Sequence, residues 1–133
     1  LPLQLKKPRL ELKIFFQEVF KSQKSIVHGD WQKDQLFKSG GNWCIIDFGK
    51  SYRGPSILDH ATYFLHNKNN EKISSNLKIS LSTFMKAKIM VSIIILAWFE
   101  LCKRKYIDYD YAKEIKEQKA LLQTNLKYFT SKQ

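Results

Sequence analysis

The chain has 133 residues, of which 44% are apolar and 14% aromatic. This composition excludes a disordered protein and is enough for a single domain, residues 1–133, with a hydrophobic core. Lys and Arg outnumber Asp and Glu by 23 to 12, a net charge of +11, which predicts attraction to anions such as nucleotides, nucleic acids, acidic lipids or acidic protein surfaces.

The first third of the chain predicts one helix and three strands. Residues 9–22 predict an amphipathic helix, because most of their apolar side chains fall on one helical stripe. Strands are predicted at residues 25–27, 34–38 and 43–48, the last two joined by a hairpin turn at the paired glycines 40–41. The apolar run before Asp47 predicts that the third strand is buried, and residues 50–56 are predicted to form a loop.

The rest of the chain is predicted to be mostly helical. Ser56 is expected to cap a helix over 56–67, with Asp59 in its first turn, where the helix dipole favours a carboxylate. The polar residues 67–76 predict an exposed connection. A long helical region over about 76–104 follows, with a break allowed near 86–88, and Asp108 or Asp110 is expected to cap a final helix to about residue 128. The predicted class is α+β, with a helical remainder over 76–130.

The strongest apolar run, residues 89–102, predicts a buried core helix. It has about 14 residues, fewer than the ~20 of a membrane span, and Glu100 interrupts it. Trp98, Phe99 and the isoleucines at 93–95 are therefore expected in the core, and no membrane span is predicted. The N-terminal residues show no signal-peptide pattern.

The cysteines and histidines do not predict a metal site. Cys44 and Cys102 are 58 positions apart in apolar surroundings, which favours buried free thiols in a reducing cytoplasm. No zinc-site spacing relates His28, His60 and His66 to one another. The predicted location is cytoplasmic.

Three carboxylates are expected near strand ends. Asp30 follows the first strand, Asp34 enters the second and Asp47 ends the third. The hairpin and the short loop before it allow all three to lie within about 10 Å of one another. Carboxylates this close repel unless a cation neutralises them, and Mg²⁺ binds oxygen ligands of this kind.

The same residues resemble a known family. The stretches "HGDWQKDQLF", "WCIIDFG" and "GPSILDHATYF", within residues 26–65, resemble the aminoglycoside phosphotransferase and choline kinase-like group, whose fold is related to that of the protein kinases. The resemblance implies a mostly helical kinase-like C-terminal lobe with a catalytic loop and a short β-hairpin. Its motif core is residues 26–65.

The resemblance also implies a role for each residue of the motif. Asp30 would be the catalytic base that orients the acceptor hydroxyl, and His28 would brace its loop. Asp47 would bind the Mg²⁺ that bridges the nucleotide phosphates, with Gln35 as a further metal ligand. Asp59 would fix the backbone geometry of the catalytic loop from behind. The cations that would contact phosphate are Lys33, Lys50 and Arg53.

The chain departs from the family pattern in two ways. Gln35 stands where the family has Asn, so the loop shifts to compensate, Asp34 takes over as ligand, or the second metal is weakened. Only about 25 residues precede residue 26, and they predict one helix. The family's N-terminal, nucleotide-covering lobe is therefore expected to be missing, and this fragment is expected to show little phosphoryl transfer.

Three functions are compatible with these residues. The first is the catalytic lobe of a small-molecule kinase that transfers the γ-phosphoryl group of ATP or GTP to a hydroxyl. The net charge of +11 disfavours a cationic acceptor and favours a neutral or anionic alcohol such as a sugar. The second is a degenerate kinase-like lobe acting as a non-catalytic binding protein. The third, a specific nucleic-acid binder, is disfavoured because the lysines are scattered and no recognition motif is present.

Overall fold

The computed structural model describes residues 6–106 and 108–131, with side chains described from residue 11 onward. The helices are α1 (Lys6–Phe15), α2 (Gln17–Lys21), α3 (Ile57–Tyr63), α4 (Asn70–Asn76), α5 (Leu81–Lys105) and α6 (Ala112–Thr130). The strands, all between α2 and α3, are β1 (Lys24–Val27), β2 (Leu36–Ser39), β3 (Asn42–Ile45) and β4 (Tyr52–Pro55). This element order confirms the α+β class.

The strands form two separate antiparallel pairs. β2 pairs with β3, and the predicted hairpin turn is confirmed, since Gly40 and Gly41 both take positive φ. β1 pairs with β4, which places Val27 opposite Tyr52. The prediction of a loop over 50–56 was therefore wrong in its centre. Gly54 and Pro55 are typical turn residues, but Pro is tolerated at the end of a strand in a two-stranded sheet.

The hairpin differs from its prediction in burial and in length. A 3₁₀ turn at Lys33–Gln35 precedes β2, so the strand begins later than residue 34. β3 ends at Ile45, and Asp47 lies beyond it with φ of 67°. The strand predicted to be buried is largely exposed, because no third strand covers the hairpin in the described part of the chain.

The hydrophobic core lies along the first half of α5, which packs against α2, α3, α4 and α6. β1 adds one side chain to it. The buried members are Val19, Val27, Ile57, Leu58, Ala61, Leu65, Ile73, Phe84, Ala87 and Val91. Burial of these apolar side chains is the main favourable term that holds the helices around the two strand pairs.

Several predicted helix boundaries were wrong. The helix predicted over 9–22 is interrupted at Phe16, between α1 and α2. α3 ends at Tyr63 rather than at 67. Ser56 does not cap it, because its hydroxyl donates to the backbone carbonyl of Gln23 at 3.1 Å. The connection predicted as exposed contains α4, a polar helix held to the core by Ile73.

α5 is one continuous helix. Ser80 caps it by accepting the N–H of Thr83 at 3.1 Å, and the break allowed near 86–88 is absent. Within that stretch Lys88 is only 1% exposed. Its Nζ donates to the Asn67 carbonyl at 2.9 Å and to the Asn70 side-chain oxygen at 2.7 Å. Lys88 thus ties α5 to the connection between α3 and α4.

The second half of α5 is not the core helix that its composition predicted. Ile93, Ile94 and Trp98 are each 41–50% exposed, and Phe99 is partly buried. The helix is hydrophobic around its circumference, a pattern typical of full burial, yet only part of its surface is covered here. Among the described residues no single helix is long and apolar enough to span a membrane. α4 and α5 reach the length and hydropathy of a membrane span only when they are taken together, and the angle of the bend between the two helices is 109°.

The last helix and the cysteines agree in part with expectation. The N-cap of α6 is Tyr111 rather than Asp108 or Asp110 as predicted, although Asp110 accepts the N–H of Ala112, the first residue of the helix, at 2.9 Å. Both cysteines are free. Cys102 is buried as predicted, whereas Cys44 on the exposed hairpin is only half-buried.

Candidate active site

His28 joins the loop after β1 to the segment after β3. The side chain is 2% exposed. Its Nε2 donates to the carbonyl of Ile46 at 2.7 Å, and its Nδ1 accepts the N–H of Asp30 at 3.3 Å. The Ile46 carbonyl can only accept and the Asp30 amide can only donate, so these partners place the ring proton on Nε2. The ring also contacts Phe48, at 4.7 Å between centroids.

Asp59 fixes the backbone of the same loop from α3. Its Oδ2 accepts the N–H of His28 at 2.7 Å, and its Oδ1 accepts the N–H of Gly29 at 3.1 Å. Hydrogen bonds to a charged acceptor are stronger than neutral ones. Burial, and next the Asp59 carboxylate, raise the pKa of Tyr52, which lies on β4.

Gly29 allows the loop to approach the chain beyond the hairpin. It has φ of +84°, and a Cβ at this position would collide with the backbone carbonyl of Lys50. Glycine is the residue that takes this backbone conformation without steric cost. The loop after β1 and the segment after β3 are therefore held together by backbone contact as well as by His28.

The two carboxylate oxygens of Asp30 interact with two different donors. Oδ1 accepts from the side-chain amide of Gln32 at 3.1 Å, and Oδ2 is paired with Nζ of Lys50 at 3.2 Å. Lys50 Nζ also lies 5.0 Å from the ring centroid of Trp98. The carboxylate thus sits in a small polar cluster that borders the exposed part of α5.

Gln35 is used within the protein. It is buried, and its side-chain oxygen accepts the N–H of Gln32 at 3.0 Å. Its backbone carbonyl accepts the N–H of Ile46 at 3.1 Å. Gln35 therefore closes the base of the hairpin, and the oxygen assigned to a metal is already engaged by the chain. Asp34, the alternative ligand, is exposed.

The expected trio of carboxylates is not formed. Within residues 6–106 and 108–131, no three His, Cys, Asp or Glu side chains are arranged to hold a metal ion together. Asp30, Asp34 and Asp47 therefore do not make a ready cation site by themselves. The carboxylates of Asp30, Asp34 and Asp47 are each of a type that Mg²⁺ prefers, and those of Asp34 and Asp47 are exposed.

A cavity of about 910 Å³ opens beside Asp30. Its polar end includes Asp30, Lys33 and Lys50, whereas Asp47 and Arg53 are not among the described side chains that line it. Arg53 is exposed on β4, opposite Ile26. Of the three predicted phosphate-contacting cations, the structure thus brings two to the cavity of Asp30.

The apolar wall of this cavity was missed by sequence reasoning. The cavity is lined by five aromatic side chains, Trp31, Tyr52, Tyr63, Trp98 and Phe99. Trp31 directly follows Asp30, and this adjacency was the one sequence signal that could have identified Trp31 as part of the site. Nothing in the sequence relates Trp98 to Asp30, since 68 positions separate them and the run around Trp98 is typical of a core.

Searches for similar proteins give no match. Neither the family models, nor the curated proteins, nor the solved structures include one that matches this chain. The function is therefore argued from the contacts around Asp30 and from the motif resemblance.

Proposed function

We propose that the chain is the catalytic lobe of a kinase-like phosphotransferase, which transfers the γ-phosphoryl group of ATP or GTP to a hydroxyl of a small molecule. Asp30 orients the acceptor hydroxyl and takes its proton. Asp47 holds Mg²⁺, and Lys33 and Lys50 contact phosphate. Bound Mg²⁺ neutralises the charge that develops on the transferring phosphoryl group.

One observation carries the proposal. His28 holds the His-Gly-Asp loop against the segment that contains Asp47, through its 2.7 Å contact to Ile46. Asp59 ties the same loop to α3, through hydrogen bonds of 2.7 and 3.1 Å. A solvent-exposed turn has no need for a buried imidazole and a carboxylate directed at its backbone. Such support suits a loop whose Asp must be held in one geometry, because misplaced catalytic groups lose much of their effect.

The test is the melting temperature of the chain with Mg²⁺ and ATP, then with Mg²⁺ and GTP. A ligand that binds the folded state stabilises it by mass action, so an increase is expected. Asp47→Asn should remove the increase, whereas Asp34→Asn, an exposed aspartate of the same loop region, should retain it. No shift in the unaltered chain, or an unchanged shift in Asp47→Asn, contradicts the proposal.

A second candidate is a degenerate kinase-like lobe that binds a partner without catalysis. The observation that favours it is the engagement of the Gln35 side-chain oxygen by Gln32 at 3.0 Å. Gln35→Asn separates the two candidates. If the lobe is catalytic, this change restores the shorter amide of the family pattern and should strengthen nucleotide-dependent Mg²⁺ binding. If the lobe is degenerate, the change only weakens the hairpin base.

A further inference from the structure

The cavity beside Asp30 is lined by charged side chains and by an apolar face of α5. The charged ones are Asp30, Lys33 and Lys50, and α5 contributes only apolar side chains, Val91, Ile94, Ile95, Trp98 and Phe99. Uncharged polar groups of Thr62 and Gln118, and the imidazole of His66, also line it. A volume of about 910 Å³ is in the range of pockets that take small organic molecules. A ligand that fills it therefore needs a hydrophobic body and a polar end.

The charges of the cavity disfavour a cationic ligand. Asp30 is the one carboxylate among its described lining residues, and it is already paired with Lys50 at 3.2 Å. Lys33 adds a second positive charge to the same end. An ammonium group placed here would meet two cations and no free carboxylate, and like charges in a partly buried site are repelled.

The apolar end also disfavours an anionic body. No described side chain from α5 that lines the cavity could pair with a carboxylate or a sulfate. An uncharged ring is the group that the aromatic wall accepts best, through offset or edge-on stacking. Trp98 is 49% exposed and Trp31 lies 6.2 Å from Tyr63 between ring centroids, so two aromatic surfaces are available.

The distances connect this wall to the reacting carboxylate. Lys50 Nζ lies 3.2 Å from Asp30 Oδ2 and 5.0 Å from the Trp98 ring centroid. The ring of Trp98 is therefore no farther from Asp30 than the sum of these two distances. A ring that carries a hydroxyl on a short arm can stack on Trp98 and present the hydroxyl to Asp30.

We infer that the acceptor of this site is a ring-bearing alcohol without a cationic group, selected by Trp98 and by the Asp30–Lys50 pair. The inference rests on the proposed function in one respect: the ligand is an acceptor only if Asp30 deprotonates it for phosphoryl transfer. The binding preference itself stands on the cavity alone and needs neither nucleotide nor turnover.

Three probes with the same hydroxyphenyl ring test the preference. Tyrosol ends in a hydroxyl, tyramine in an ammonium group and 4-hydroxyphenylacetate in a carboxylate. The full chain is titrated with each while the indole N–H signals of its three tryptophans are followed by NMR. Tyrosol should shift the signals of Trp31 and Trp98, leave that of Trp43 on the hairpin unchanged, and bind at least about tenfold more tightly than tyramine. The carboxylate of 4-hydroxyphenylacetate would meet Lys33 and Lys50, so this probe should also bind more tightly than tyramine.

Two tryptophan variants form the matched pair. Trp98→Ala should weaken tyrosol binding about tenfold. Trp43→Ala should leave it unchanged, because Trp43 is 66% exposed and lies outside the cavity. Lys50→Met should raise the affinity for tyramine, since it leaves Asp30 unpaired.

The inference is overturned if tyramine binds as tightly as tyrosol or as 4-hydroxyphenylacetate. An equal response at Trp43, or full binding in Trp98→Ala, also overturns it. A parallel titration with Mg²⁺ and ATP keeps the two proposals separate. Tyrosol binding without nucleotide binding supports the ligand class and contradicts the phosphotransferase. Nucleotide binding without tyrosol binding supports the phosphotransferase and contradicts the ligand class.

Discussion

Asp59 links α3 to the loop that carries Asp30. It accepts two backbone N–H groups of the loop that carries Asp30, at 2.7 and 3.1 Å. Its position in the first turn of a helix was predicted from the sequence, and so was its support of the loop, through the motif resemblance. Its two amide partners are 30 and 31 positions away, a pairing that only the fold creates.

Asp59→Ala is expected to lower the free energy of unfolding by about 1–3 kcal/mol, because two amides lose a charged acceptor. Urea denaturation followed by circular dichroism measures the change. Asp34→Ala is the control, since that carboxylate is exposed, and it should alter stability by less than about 0.5 kcal/mol. Equal losses in the two variants would show that the loop does not depend on Asp59.

Lys88 gives the protein a pH-dependent stability. Burial lowers its pKa from 10.5 to about 8. Between these values the unfolded chain keeps a proton that the folded chain has released, so the free energy of unfolding rises as the pH increases through this range. Tyr52, Tyr109 and Tyr111 have raised pKa values and act in the opposite sense above pH 10.

The prediction is a rise in stability from about pH 8 to about pH 10 that Lys88→Met lacks. Denaturant unfolding at several pH values measures it, and the difference from the unaltered chain removes the contribution of the tyrosines. Lys116→Met, at an exposed position of α6, should retain the rise. A flat profile in the unaltered chain, or the same slope in Lys88→Met, is inconsistent with a buried charged amine.

At the scale of elements, the loop after β1 and the chain beyond β3 are positioned by backbone contact. Gly29 lies against the carbonyl of Lys50, whereas a Cβ added to Gly41 in the hairpin turn would meet no atom within 4 Å. Both glycines have similar positive φ, +84° and +82°. The pair therefore separates backbone strain, which both would share on substitution, from the collision that only Gly29 would suffer.

Gly41→Ala is expected to cost about 1–2 kcal/mol, the penalty of an L-residue at positive φ. Gly29→Ala should cost clearly more, because the backbone of Lys50 must also move. Thermal or urea unfolding of both variants gives the comparison. If the two substitutions have the same effect, the close approach of these two elements is not part of the native structure.

The sequence predicted the elements whose pattern is local and missed those whose state depends on neighbours. The hairpin turn is encoded by Gly40 and Gly41, and the hydrogen bond from Ala112 to Asp110 before α6 is likewise local. β4 was missed because its residues are turn-like, and it becomes a strand only through pairing with β1. The exposure of Trp98 was missed because an apolar run does not say whether a partner covers it.

At the scale of the whole molecule, the charge of +11 and the candidate site agree with each other. A chain of this charge would attract the polyanionic nucleotide that the proposed function requires. The polar end of the cavity has two lysines and one paired carboxylate. The sequence predicted this preference for anions, whereas the aromatic wall depends on the path of α5 past Asp30 and required the structure.

In the proposed site, Asp47 holds a divalent ion brought by a nucleotide, next to the loop that carries Asp30. Mn²⁺ in place of Mg²⁺ broadens the NMR signals of nearby nuclei, so titration with Mn²⁺ and ATP reports which backbone amides surround the ion. We expect selective broadening at residues 30 and 47, lost in Asp47→Asn. Broadening at only one of the two, or spread over the surface without preference, would contradict the claim.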